Sequence, residues 1–145
     1  MPNSSRKNAI SILIVEDHPP DLKLAQRAIA RTFPDVQVRI AMHGQEALVY
    51  LEDPELDQPD IILLDLMMPV MDGWELLGAL HRSDTLKYIP TIALSTSSRQ
   101  LDIDKAYQAG ANAYVVKPVD PAHFQQAVEE LGLFWLNRAK LPGIK

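Results

Sequence analysis

The chain has 145 residues, 47% of them hydrophobic and 23% charged, enough to build one folded domain around its own core and too apolar for wholesale disorder. Its net charge of −5, with no long Lys/Arg run, argues against direct DNA binding. The absence of cysteine excludes a disulfide scaffold, a thiol nucleophile and Cys-based zinc or iron–sulfur sites, and suits a reducing cytoplasm, the expected location.

Arg6-Lys7 followed by an apolar stretch mimics the start of a signal peptide. That stretch meets Glu16-Asp17-His18 with no small-residue cleavage site, so residues 10–15 read as a buried strand. After Pro19-Pro20, Leu22, Ala25, Ala28, Ile29 and Phe33 keep helical spacing until Pro34-Asp35. Residues 36–42 read as the second strand, and Ala47, Leu48 and Leu51 mark a helix that Asp53-Pro54 ends. The acidic stretch 53–60 reads as a surface loop. Residues 61–64 form the third strand; the apolar run through Met71 is cut by Asp65 and Pro69 and is too short to span a bilayer.

Asp72-Gly73 makes a turn, then Trp74, Leu77 and Leu80 follow at helical spacing. Residues 91–94 are the fourth strand, and residues 101–109 a helix closed by Gly110. Residues 113–116 are the fifth strand. Asp120-Pro121 starts a last helix along Phe124, Ala127, Val128, Leu131 and Trp135. The first, third and fourth runs are nearly continuous rather than alternating, as in strands covered on both faces. Five β-α units imply an α/β fold with a parallel sheet. Residues 1–8 and 140–145 read as tails around one domain over 9–139, with no output domain expected.

Ligands of an open parallel sheet sit beyond the carboxyl ends of its strands. Those ends carry Glu16-Asp17, Asp65, Ser95-Thr96 and Lys117-Pro118. Clustered carboxylates repel one another, so they hold either protons or a cation. Oxygen ligands without Cys or His favour a hard ion such as Mg²⁺. A carboxylate beside a cation, a lysine and a hydroxyl can accept a phosphoryl group, because the positive charges neutralise the oxygens that gain charge in transfer.

The motifs Ile14-Val15-Glu16-Asp17, Leu64-Asp65-Leu66-Met67-Met68-Pro69-Val70-Met71-Asp72-Gly73, Ala93-Leu94-Ser95, Ala109-Gly110-Ala111 and Tyr114-Val115-Val116-Lys117-Pro118 together resemble the receiver domains of two-component response regulators, over about residues 9 to 135. The resemblance implies a flavodoxin-like doubly wound (βα)5 fold with sheet order 2-1-3-4-5. It implies a switch rather than an enzyme: a phosphoprotein that a sensor histidine kinase phosphorylates on Asp65 with Mg²⁺, changing a protein-interaction face. By resemblance, Asp17 and Asp65 would be direct Mg²⁺ ligands, Glu16 a ligand through water, and the backbone carbonyl of Met67 a further metal oxygen. Lys117 and Ser95 would contact the phosphoryl group, and Tyr114 would swing inward as Ser95 moves. Either Ser95 or Thr96 could supply the hydroxyl; the family's spacing back from Lys117 selects Ser95. Lys117-Pro118 is expected as a cis peptide. Met67 and Ser97 stand where side chains tune loss of the phosphoryl group, and neither positions a water, so slow to moderate self-dephosphorylation is expected.

The ending Leu133-Phe134-Trp135-Leu136 resembles stand-alone phytochrome-associated response regulators, which would make a phytochrome the kinase partner and Phe134, Trp135 and Leu136 a surface for a partner or a homodimer. Taken singly, each site residue has a plainer reading. Asp65 could cap a turn, Lys117 could be a solvated lysine, Tyr114 could pack an edge, and the four histidines lack metal spacing. Two other functions compete. A phosphatase turning over an aspartyl-phosphate would want a second acid where Met67 stands; a receiver-like binding module without phosphorylation would have lost an acid, the lysine or the hydroxyl.

Overall fold

A computed structural model describes residues 10–68 and 72–143. The expected tail 1–8, the motif residues Pro69, Val70 and Met71, and the end of the expected C-terminal tail lie outside the described residues. In chain order the elements are β1 (Ser11–Val15), α1 (Pro19–Thr32), β2 (Gln37–Ala41), α2 (Gly44–Glu52), β3 (Ile61–Asp65), α3 (Gly73–Arg82), a 3₁₀ turn (Leu86–Tyr88), β4 (Thr91–Ser95), α4 (Gln100–Gln108), β5 (Ala113–Val116) and α5 (Pro121–Gly132), which runs on as a π-helical segment (Leu133–Arg138). All strand pairs are parallel and the order is β2-β1-β3-β4-β5, the order the resemblance implied.

Strand alternation explains the continuous apolar runs. Leu13, Val15, Ile62 and Leu64 point to one face, where Ala47, Leu51, Leu76, Leu77, Leu80 and Ala106 of α2, α3 and α4 cover them. Ile12, Ile14, Ile61, Leu63, Ile92 and Leu94 point to the other, against Leu22, Ala25 and Ile29 of α1 and Phe124 and Val128 of α5. Residues of the inner strands β1, β3 and β4 therefore face a helix whichever way they point, and β3 and β4 are buried throughout, whereas the edge strand β2 is largely exposed. Burying a side chain such as Phe124 contributes about 1.5–3 kcal/mol. Among the described residues, no helix is long and apolar enough to cross a membrane.

Helix starts follow local chemistry. Asp72 and Glu75 form a reciprocal capping box at α3, and Asp120 accepts from the His123 N–H at α5 ahead of Pro121. Gly110 takes φ +112° after α4, where a Cβ would also lie 2.6 Å from His81 Nδ1. The 53–60 loop is a surface loop, as expected. Its Asp57 carbonyl accepts from the Tyr50 hydroxyl, and its Asp60 carboxylate from the Ser11 N–H.

Two expectations are corrected. The Lys117–Pro118 peptide is trans, the commoner isomer of an X–Pro bond, and from it the lysine reaches the acid cluster. Leu136, expected on an exposed patch, is 8% exposed and belongs to the core beside α1. It stands four residues after Gly132 and eight after Val128, so it continues the same buried stripe as Phe124. Trp135 is half-buried against that core, with Phe134 edge-to-face on it at 5.3 Å, leaving Leu133 and Phe134 as the exposed apolar pair.

Candidate phosphoacceptor and metal site

The site stands at the carboxyl edge of the sheet because β1, β3, β4 and β5 all end there. Glu16 and Asp17 leave β1, Asp65 closes β3, Ser95 closes β4 and Lys117 follows β5. Glu16, Asp65, Ser95 and Lys117 are buried, whereas Thr96 is exposed. One carboxylate oxygen from each of Glu16, Asp17 and Asp65 lies within 4.8 Å of the others, close enough for a single cation.

Three acids that close must be neutralised. Lys117 Nζ donates to Glu16 Oε1 at 2.8 Å, lies 2.8 Å from Asp21 Oδ2, and is 3.5 Å from Asp65 Oδ2. The Phe124 ring lies 5.7 Å from the same ammonium. Burial works against the charge on Lys117, but the contacts with Asp21, Glu16 and Asp65 outweigh it and hold its pKa above the ordinary lysine value. Glu16 is pushed up to about 8 by burial and by Asp65, with Lys117 opposing. Backbone donors orient the carboxylates: Met67 N–H reaches Asp65 Oδ1 at 3.0 Å, and His18 N–H reaches Glu16 Oε2 at 3.2 Å.

Gly73 keeps α3 tight against the site. A Cβ there would sit 2.5 Å from the Asp65 carbonyl oxygen and even closer to Leu66 Cα, so only glycine fits. The Met67 side chain is 60% exposed. Ser95 Oγ accepts from the Ser97 N–H at 3.1 Å, and the Ser95 carbonyl accepts from the Lys117 N–H at 2.7 Å. The Tyr114 hydroxyl donates to the Ser97 carbonyl at 2.8 Å, tying β5 to the loop after β4. The Tyr114 N–H donates to the Tyr107 hydroxyl at 3.1 Å. Ser97 Oγ donates to Asp102 Oδ2 at 2.5 Å, and Arg99 pairs with the same carboxylate.

The structure thus brings Glu16, Asp17, Asp65, Ser95 and Lys117 to one edge, with Tyr114 one hydrogen bond from the β4–α4 loop. Phe134 is exposed on the π-helical continuation of α5, a segment that supplies none of the three acids. Asp21 went unnoticed in the sequence. Its spacing was a usable signal: it stands four residues after Asp17, in the first turn of a helix that begins beside the acid pair.

The order of the sheet, the paired acids after β1, the acid at β3 and the lysine after β5 define a response regulator receiver domain of two-component signalling, and the chain belongs to that family, whose match covers residues 12–129. A probable methanogenesis regulatory protein, FilR2 of Methanothrix harundinacea, is 35% identical over 91% of this chain and 87% of its own length. The response regulator Rcp1 of Synechocystis is 31% identical over 90% of this chain and 92% of its own, and its Mn²⁺-bound crystal structure superposes with a TM-score of 0.87. The phosphorylated cyanobacterial phytochrome response regulator RcpA is 37% identical, covers 93% of this chain and 99% of its own, and superposes with a TM-score of 0.88.

Proposed function

We propose that this receiver takes a phosphoryl group on Asp65 from a sensor histidine kinase and stores it as a signal. The observation that carries this is the convergence of Glu16, Asp17 and Asp65 with Lys117 Nζ 3.5 Å from Asp65 Oδ2. In the transfer, Asp65 Oδ forms a bond to phosphorus as the bond from phosphorus to the donor's imidazole nitrogen breaks, and the leaving imidazole keeps the electron pair and takes up a proton. Lys117 stands where it can neutralise a phosphoryl oxygen. Ser95, buried at the end of β4, is the better placed hydroxyl than exposed Thr96. Its movement would pull the loop that Tyr114 holds through the Ser97 carbonyl.

The donor set fits a hard divalent ion: three carboxylates, no sulfur or imidazole, and one ammonium to offset them. Glu16, Asp17 and Asp65, with the Met67 carbonyl, would hold Mg²⁺, which supplies charge neutralisation for the oxygens around phosphorus. The Mn²⁺-bound Rcp1 structure supports a divalent ion here, and the phytochrome response regulator RcpA supports a phytochrome as the kinase; the cysteine-free sequence suits action in a reducing cytoplasm. Self-association through the exposed Leu133 and Phe134 belongs to the same proposal, and beryllofluoride-dependent sedimentation tests it. Met67 points to solvent and the Ser97 hydroxyl is engaged by Asp102, so neither places a water on the phosphoryl group and its loss should be slow.

Acetyl phosphate with Mg²⁺ should add the mass of one phosphoryl group to the natural chain and none to Asp65→Asn. An unchanged mass for the natural chain, or an equal gain in Asp65→Asn, would refute the assignment.

A further inference from the structure

Lys117 and a divalent cation are rivals. Both are positive, and both draw on Glu16 and Asp65. A buried ammonium needs a carboxylate of its own if a cation is to take those two. Asp21 supplies one. It stands outside the group Glu16, Asp17 and Asp65, in the first turn of α1, with its Oδ2 2.8 Å from Lys117 Nζ. The contact is as short as the one to Glu16 and 0.7 Å shorter than the 3.5 Å to Asp65. His18 Nδ1 lies 3.1 Å from the same Oδ2 and holds it in place from the solvent side. The ammonium therefore has a resting place beside the acid cluster rather than inside it, still within reach of Asp65.

We propose that Asp21 is a positioning residue that takes over the Lys117 ammonium when a divalent cation claims Glu16 and Asp65, so that lysine and metal occupy the site together. Asp21 acts only through Lys117 and touches neither metal nor phosphoryl group. The inference rests on the phosphoacceptor reading above. Without Asp21, Lys117 falls back on Glu16 and Asp65 and competes with the ion.

A double-mutant cycle on the full chain, read by Mg²⁺ titration calorimetry, tests this. Asp21→Asn should weaken Mg²⁺ binding about tenfold in the natural background and less than about twofold in a Lys117→Met background, a coupling inside the usual range for groups in contact. Asp21→Glu, which keeps the charge, should stay within about twofold of the natural chain. Asp21→Ser serves the same cycle if Asp21→Asn does not fold. An equal loss in both backgrounds would make Asp21 a bare charge or a ligand and overturn the proposal, as would no loss in either. If the natural chain binds no Mg²⁺ and gains no mass from acetyl phosphate, the phosphoacceptor reading fails and this inference falls with it. If it does both while the cycle shows no coupling, only the inference fails.

Discussion

Replacing Lys117 by methionine removes the ammonium that faces Glu16, Asp21 and Asp65. At an effective dielectric of 20, a charge pair at 2.8 Å is worth about 6 kcal/mol and one at 3.5 Å about 5 kcal/mol before desolvation. Most of that is offset by stripping water from the ions and by repulsion among the acids. What the substitution leaves is buried carboxylate with no counter-charge, which typically costs about 3–5 kcal/mol. Glu16 has an escape. Its pKa already stands at about 8 against 4.5 for an ordinary glutamate, and without the lysine it rises further, so in mild acid it sheds its charge by binding a proton. The metal-free variant should therefore lose about 3–5 kcal/mol near about pH 9 and roughly half as much or less near about pH 6. Urea unfolding of both proteins at the two pH values, without divalent ions, measures the difference; a chain of this size should unfold in one cooperative step. A loss that is the same at both pH values, or larger in acid, would show that Lys117 does not neutralise Glu16.

The same raised pKa sets the pH dependence of the natural chain. Folded Glu16 keeps its proton up to about 8 where the unfolded chain releases it near 4.5, so its contribution to stability is complete below the lower value and is lost as pH climbs through the upper one. Mg²⁺ needs the ionised carboxylate, so its affinity should rise with pH towards about 8, by up to about tenfold per unit, and then level off; calorimetry across that range checks it, and a flat profile would contradict it. Gly73→Ala forces a Cβ into the Asp65–Leu66 backbone and should cost about 1–3 kcal/mol while weakening Mg²⁺ binding, both read by unfolding with and without the ion.

Much of this was readable from the sequence, for physical reasons that differ by element. β1, β3 and β4 announced themselves because both faces of each are covered, so their runs are nearly continuously apolar rather than alternating. Asp65 and Lys117 were legible because strand ends in a parallel sheet share one edge, and motif order placed them there. Leu136 was misplaced because two adjacent residues, Trp135 and Leu136, both fit a broad apolar stripe, and only packing against α1 and the sheet selects which one is fully buried. The π-helical segment has no periodic signature of its own; its wide turn shows only in hydrogen bonds such as Ala139 N–H to Phe134 O. Asp21 was missed because its partner, Lys117, is remote in sequence, 96 positions further on (117 − 21) in a chain of 145 residues.

The hydrogen bond from the Tyr114 amide to the Tyr107 hydroxyl also decides how β5 can be used. An edge strand ordinarily offers its outward amides to any extended peptide, a route to strand addition and to aggregation. Here a side chain from α4 already occupies that donor at 3.1 Å. A partner approaching the strand at Tyr114 meets the Tyr107 side chain of α4 rather than a free amide. Recognition on this flank is thereby directed to side-chain shape, and the sheet is closed to templated growth at that point. Tyr107→Phe would remove the plug while keeping the ring, and faster hydrogen exchange at the Tyr114 amide would show the edge reopening.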